Sequence, residues 1–393
     1  MRRPAARRLV LPEQVDVQVG QLDDVPDLLR NVGPAGHYSG HRRPSTPTQG
    51  AIMGYICPYC GEGLPEDTPC PCTMGPDDGA DEVRPLIRGP LTREIDNTRS
   101  PARQFFDERF TCGLKDLQRR FRQAAPPAAV PSVPQAEANP GTVGGAADWL
   151  LRFMVCPDPS VDLALAGAGG LGRGMMTAVI DLAGMLGAGT SPHRPAGFTG
   201  PVAGSSVDQE LLARGCWALA LVTEAFRSAQ AAAMGPLARF HGGPVTADAL
   251  LALAPPAGLD QLARFRHVFE TALIPQLAAR PGPWALGPTF SGSAMIGGAD
   301  GDLIAAGLLL ELKTSAKLTL TVKDLFQVIG YALLDFDDEY KLAELGIFSA
   351  RYAYLAAWGL STLLDELAGH QVSFQAVRQE FRHLLLTHRN PAR

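Results

Sequence analysis

The sequence predicts an α/β protein in which a central mixed sheet is flanked by helices, with a small cysteine-rich module ahead of it. Three observations point there. Apolar residues recur with helical spacing from Gly141 to about Ala279, the period shifts to that of strands from about Pro288, and four cysteines crowd into residues 57–72.

Residues 1–52 carry little hydrophobic periodicity and many breakers. They read either as a disordered tail or as a stretch ahead of a true translation start at Met53. Residues 53–75 form the cysteine module. Residues 76–140 read as a linker with one helical segment, SPARQFFDERFTCGLKDLQRRFRQ, ending in AAPPAAVPSVPQAEANPG, which is too rich in proline to be regular. Residues 141–287 form a helical layer that runs from GTVGGAADWLLRFMV to LDQLARFRHVFETALIPQLAA. Residues 288–393 then give strands in PTFSGSAMIGGADGDLI and LLLELKTS, a helix in VKDLFQVIGYALLDF, a strand in ELGIFSARYAYLAAW and closing helices. No internal repeat is visible.

The chain has 393 residues, 46% of them apolar, which is ample for a sizeable core. A net charge of -5 gives no global basic field, so any nucleic-acid contact must be local. No run of about 18 apolar residues occurs, which excludes an ordinary membrane-spanning helix. The start, MRRPAARRLVLPEQVDV, has the basic flank of an export signal but too short an apolar stretch. Scattered Cys112, Cys156 and Cys216 do not suit a secreted disulfide scaffold, and the expected location is the cytoplasm. Only five of the 35 basic residues are lysine, and four of those, Lys313, Lys317, Lys323 and Lys341, lie between 313 and 341.

That lysine-bearing stretch follows an unusual pattern, GGADGDLIAAGLLLELKT, in which charges interrupt two apolar runs. If Ala306 and Gly307 make a two-residue turn, Ala305 faces Leu308 and Asp302 faces Glu311. Alternation puts Asp302, Glu311 and Lys313 on one face, and Leu308, Leu310 and Leu312 on the other. Neighbouring carboxylates repel unless a proton or cation lies between them, and a hard ion such as Mg²⁺ suits oxygen donors. Asp300 shares the face of Asp302 and is an alternative first carboxylate.

Asp302, with eight residues before Glu311-Leu312-Lys313, resembles the D…(D/E)xK signature of the PD-(D/E)xK nuclease superfamily. QVIGY, with Gln327 and Tyr331 on one side of a helix, looks like the QxxxY element of its RecB-like branch. The resemblance implies a restriction-endonuclease-like core and Mg²⁺- or Mn²⁺-dependent hydrolysis of DNA phosphodiesters, used in repair, recombination or defence against foreign DNA. It implies that Asp302, Glu311 and the carbonyl of Leu312 hold the metal while Lys313 positions or helps deprotonate water. Gln327 and Tyr331 would complete the site. Where that branch has a G-x-x-x-H helix, this chain has Gly144 and Asp148, so Asp148 is a further oxygen ligand in that place. Lys317 and Lys323 are candidates for the nucleic-acid backbone; Arg351 is another, with a structural ion pair as its alternative.

Cys57, Cys60, Cys70 and Cys72 are spaced C-x2-C-x9-C-x-C, a donor set for structural Zn²⁺. The CPYCG turn resembles a zinc-ribbon knuckle, although the second pair is one residue closer than usual. Gly167, Gly169 and Gly172 make a G-x-G-x-x-G pattern without the acidic residue a dinucleotide fold needs, and read as a loop between helices. His193, His241 and His370 read as surface residues. No phosphate-binding G-x-x-x-x-G-K-[ST] motif is present, so a helicase or other motor would have to be a partner protein. The rival readings are a non-catalytic adaptor that binds nucleic acid or protein, and a nuclease acting on RNA.

Overall fold

The structure is a computed structural model. It describes residues 86–388 apart from 88, 157, 191–206, 229–232 and 242; before them it describes only two backbone strands, β1 (Tyr55–Ile56) and β2 (Gly63–Leu64). The chain divides into two compact units, 1–80 and 81–393. In the first, β1 and β2 pair antiparallel, Tyr55 opposite Leu64 and Ile56 opposite Gly63. Cys57, Cys60, Cys70 and Cys72 lie outside the described residues.

The second unit is mixed α/β. Its sheet has the order β3 (Trp284–Leu286), β4 (Leu303–Ala305), β5 (Leu308–Lys313), β6 (Glu344–Ser349), β7 (Tyr354–Gly359). Every neighbouring pair is antiparallel except β5 and β6, which run parallel. A parallel pair needs a crossover, and the Val322–Leu334 helix supplies it. Between β4 and β5 the chain turns in two residues, with Ala306 at φ 49° and Gly307 at φ 82°. Positive φ at both positions is what a tight hairpin of the primed type requires. The register then follows the turn: Ala305 opposite Leu308 and Leu303 opposite Leu310.

Alternation along β5 divides the core. Leu308, Leu310 and Leu312 join one apolar cluster with Trp149, Leu182, Leu219, Phe265 and Phe269 of the helical layer. Leu309 joins a second cluster with Phe106, Phe326, Ile329, Leu333 and Phe381 on the opposite face. Strands buried on both faces read as continuous apolar runs, which is why LLLELK is so rich in leucine.

Three segments differ from the sequence reading. Residues 76–140 are more than a linker: they contribute the Leu91–Asp96, Pro101–Arg109 and Leu114–Ala124 helices, whose Leu91, Phe106 and Phe121 are core residues. Phe106 stacks on Phe326 of the crossover helix at 5.1 Å. The expected single helix breaks at Gly113, where a Cβ would stand 2.4 Å from the Glu366 carbonyl oxygen. The sheet begins at Trp284, ahead of the expected boundary at 288. Within PTFSGSAMIGGADGDLI the glycine-rich middle turns as a short 3-10 helix, Ser293–Ile296, instead of extending. The glycine pattern at 167–172 also differs from a simple loop. Gly167 and Gly169 lie within the Asp162–Leu171 helix, and Gly167 lets it approach the backbone of Val222, where a Cβ would come within 2.1 Å. No helix among the described residues is long and apolar enough to cross a membrane.

Arg351 corrects an expectation. It lies in a 3-10 turn between β6 and β7, not on a strand, and is 5% exposed. Its guanidinium donates to the carbonyls of Thr314 (2.7 Å) and Pro131 (2.9 Å) and to Gln261 Oε1 (2.5 Å), and lies over the Phe265 ring. These acceptors are neutral, so the contact is neither an ion pair nor a phosphate site. Its own carbonyl receives the N–H groups of Ala129 and Val130, so one residue fastens the proline-rich segment to the sheet and the helical layer. Replacing Arg351 with Ala strands several buried acceptors and is expected to cost on the order of 3 kcal/mol. Chemical denaturation combined with limited proteolysis checks this, with new cutting expected within residues 125–139.

Candidate active site

The hairpin, the crossover helix and the helical layer meet around four carboxylates: Asp148, Asp300, Asp302 and Glu311. Extending the β4–β5 register by one pair sets Asp302 opposite Glu311. Asp302 Oδ2 accepts the Leu312 N–H at 2.6 Å. Glu311 is 7% exposed, and its Oε1 accepts Lys313 Nζ at 3.1 Å and Gln327 Nε2 at 2.8 Å.

The crossover helix aims its polar residues at this patch. Thr321 and Asp324 form a reciprocal capping box that fixes where the helix starts. Asp324 Oδ2 serves the cap, which leaves Oδ1 to pair with Lys313 at 3.3 Å. One turn on, Gln327 accepts from Lys313 Nζ through Oε1 (3.0 Å) and donates through Nε2 to the Tyr331 hydroxyl (2.8 Å) as well as to Glu311. Tyr331 is buried and stacked on Phe290 at 5.6 Å. All five residues expected at the centre of the site, Asp302, Glu311, Lys313, Gln327 and Tyr331, are therefore in one neighbourhood.

The helical layer adds charge from the other side. Asp148, on the Pro140–Val155 helix, accepts Arg152 Nε at 3.0 Å, and Arg152 is 5% exposed against Trp149. The layer comes close because Gly144 has no side chain; a Cβ there would stand 3.1 Å from Thr314 Oγ1. Arg227, at the end of the Gln209–Arg227 helix, pairs with Asp300 Oδ2 at 2.8 Å. Asp300, the alternative first carboxylate, is thus engaged by an arginine. Arg152, Arg227, Asp324 and Phe290 were not among the sequence candidates. A signal existed for two of them: Arg152 follows Asp148 by four residues, and TVKD has capping-box spacing.

Three cations serve four acids: Lys313 is shared by Glu311 and Asp324, Arg152 pairs with Asp148 and Arg227 with Asp300. Among the described residues Asp302 has no ion-pair partner, only the Leu312 N–H. Its carboxyl titrates well above the ordinary aspartate range, first because it is buried and then because Glu311 and Asp148 are near. Glu311 is also raised, by burial foremost, with Lys313 opposing and Asp300 and Asp148 adding to the effect. Burial pulls the Lys313 ammonium down, but Glu311 and Asp324 outweigh it and hold the group cationic. The Tyr331 hydroxyl stays protonated far above neutral pH, through burial and then the charge of Glu311.

Among the described residues no group of three or more His, Cys, Asp or Glu side chains is poised to hold a metal ion. The donor set that remains is Asp302 and Glu311 with the Leu312 carbonyl, and Mg²⁺ is commonly held by one or two carboxylates plus water and substrate oxygens. A half-buried aspartate without an ion-pair partner beside a buried glutamate is chemistry that such an ion fits. Asp148 is engaged by Arg152 through Oδ2. Lys317 is exposed on the β5-to-helix connection, and Lys323 pairs with Asp96 at the surface. Comparison of the chain with protein-family models, curated proteins and solved structures finds no match.

The charge imbalance predicts a pH dependence. A carboxyl whose folded-state titration is raised lends stability that is complete below the ordinary aspartate range and is lost as pH rises through the raised value. In protein free of divalent ions the contribution of Asp302 to stability should therefore fall on going from acid to neutral pH. Asp302→Asn, which keeps an acceptor for the Leu312 N–H, is expected to remove much of that loss. Its thermal midpoint at neutral pH should rise by about 2 °C or more, the shift that roughly 1 kcal/mol gives in a domain of this size. A lower midpoint would contradict the assignment.

Proposed function

We propose that the chain is a metal-dependent nuclease that hydrolyses phosphodiester bonds of DNA, with a restriction-endonuclease-like core of the PD-(D/E)xK superfamily, RecB-like branch. The observation that carries this reading is the pairing of a half-buried Asp302, with no ion-pair partner among the described residues, with the buried Glu311, beside an ammonium and a Gln–Tyr pair from the crossover helix. A surface salt bridge on a solvated hairpin would show none of that burial.

In this reading Asp302, Glu311 and the Leu312 carbonyl would hold Mg²⁺ or Mn²⁺, which when bound acidifies water and neutralises charge on a phosphate. Lys313, held cationic by Glu311 and Asp324, orients a water or a phosphate oxygen rather than accepting a proton. Gln327 holds Glu311 and Lys313 in register with each other, and Tyr331 fixes the amide of Gln327 from behind. Asp148 acts through its charge and through Arg152. Lys317 and Lys323 remain candidates for the DNA backbone, and Zn²⁺ for Cys57, Cys60, Cys70 and Cys72. A protein partner such as a helicase would supply any motor.

The adaptor reading is favoured by one feature: Glu311, Lys313 and Gln327 satisfy one another without a ligand. A panel of single- and double-stranded DNA and RNA, incubated with Mg²⁺ or Mn²⁺, separates the readings. The nuclease reading predicts cutting of DNA that Lys313→Ala lowers at least about 100-fold, the scale on which a positioned charge-stabilising group acts, while the fold survives. Absence of cutting by the wild type supports the adaptor, and preferential cutting of RNA would move the substrate class.

A further inference from the structure

The carboxylate cluster repels the phosphates of any nucleic acid that approaches it, so a substrate needs a cation at the rim. Lys313 has three partners in Glu311, Gln327 and Asp324, and Arg152 is buried against Asp148 and Trp149. Arg227 differs from both. Its side chain is 58% exposed, it ends a helix packed along Pro140–Val155, and its one ion pair is to a carboxylate, Asp300, that is itself 32% exposed. Asp300 precedes Asp302 by two residues and holds the guanidinium at 2.8 Å, so the guanidinium stands beside the site rather than on a remote face.

We propose that Arg227 is a substrate-binding residue: it leaves or shares Asp300 and donates to a non-bridging phosphate oxygen of the nucleic acid at the rim of the site. This rests on the nuclease reading for its place in a reaction, although the contact itself is a matter of binding. An exposed arginine–aspartate pair contributes little to stability, so exchanging Asp300 for phosphate has a small cost. A guanidinium also meets phosphate with two parallel N–H groups, which is a stronger bond than a lysine makes. Asp300 keeps the guanidinium extended over the rim when substrate is absent.

The test is binding of a labelled single-stranded DNA oligonucleotide, with Ca²⁺ in place of Mg²⁺, across a range of salt concentrations. Proteins compared are the full-length wild type, Arg227→Ala, Arg227→Lys and, as a control on the same helix, Arg214→Ala. Arg227→Ala should bind about 5–10-fold more weakly and flatten the salt dependence by about 0.7 in log–log slope, the loss of one phosphate contact. Arg227→Lys should recover part of the affinity, Arg214→Ala should match the wild type, and thermal midpoints should stay together. In cleavage with Mg²⁺, Arg227→Ala should raise KM and leave kcat near the wild-type value. Unchanged affinity and slope in Arg227→Ala overturn the proposal whether or not the wild type cuts. A wild type that binds with the Arg227 dependence but never cuts overturns the nuclease reading alone. A wild type that binds no nucleic acid overturns both.

Discussion

The second unit is organised around a cluster of partly buried carboxylates that outnumber the cations paired with them. Asp302 and Glu311 face each other across a hairpin, and one positive side chain, Lys313, lies on the same face. Glu311 is buried and Asp302 half-buried, so the mutual repulsion of the two acids is screened less than it would be in bulk water. The surrounding elements each compensate part of it. The crossover helix brings the Gln327 amide to Glu311 although its Asp324 adds a further acid beside Lys313, and the helical layer brings Arg152 and Arg227, each already joined to an acid. Asp302 keeps the residual imbalance, and that imbalance is what an incoming cation would relieve.

Holding such a patch requires rigid backbone on every side. The two-residue turn at Ala306 and Gly307 sets the register, and a slip of one residue would send Glu311 into the leucine face. The parallel β5–β6 pair forces a crossover, and the capping box at Thr321 determines which helix residues face Glu311. Leu308, Leu310 and Leu312 seat the other face of the strand on the helical layer. The same leucines that make β5 look like an ordinary core strand thus keep its charged face aligned.

Much of this was legible in the sequence because it depends on local rules. Turn length dictates the pairing of Asp302 with Glu311, alternation dictates the shared face of Lys313, and helical spacing joins Gln327 to Tyr331. What escaped depends on contacts distant in sequence. Phe105, Phe106 and Phe121 look like one amphipathic helix until Phe326 and Phe381 are seen against the first two and Tyr354 and Trp358 against the third. Arg351 looks like a strand residue, whereas Pro131 and Gln261, 220 and 90 residues away, close around it. Arg227 carries no local mark of its proximity to Asp300. Asp148 was found by a helix pattern, but its engagement by Arg152 required the burial to be known. The cysteine spacing speaks for a metal on composition alone.

The central claim is that Asp302 and Glu311 form a site short of positive charge that takes a divalent cation. Isothermal calorimetry of Mn²⁺ binding to the full-length chain, beside Asp302→Asn and Glu311→Gln, tests it directly. The wild type should bind Mn²⁺, and either substitution should weaken that binding at least about tenfold, no less than the loss of an outer-shell partner costs. Wild-type protein that binds no Mn²⁺ beyond what both variants bind would contradict it, and would leave the hairpin as a self-satisfied polar network.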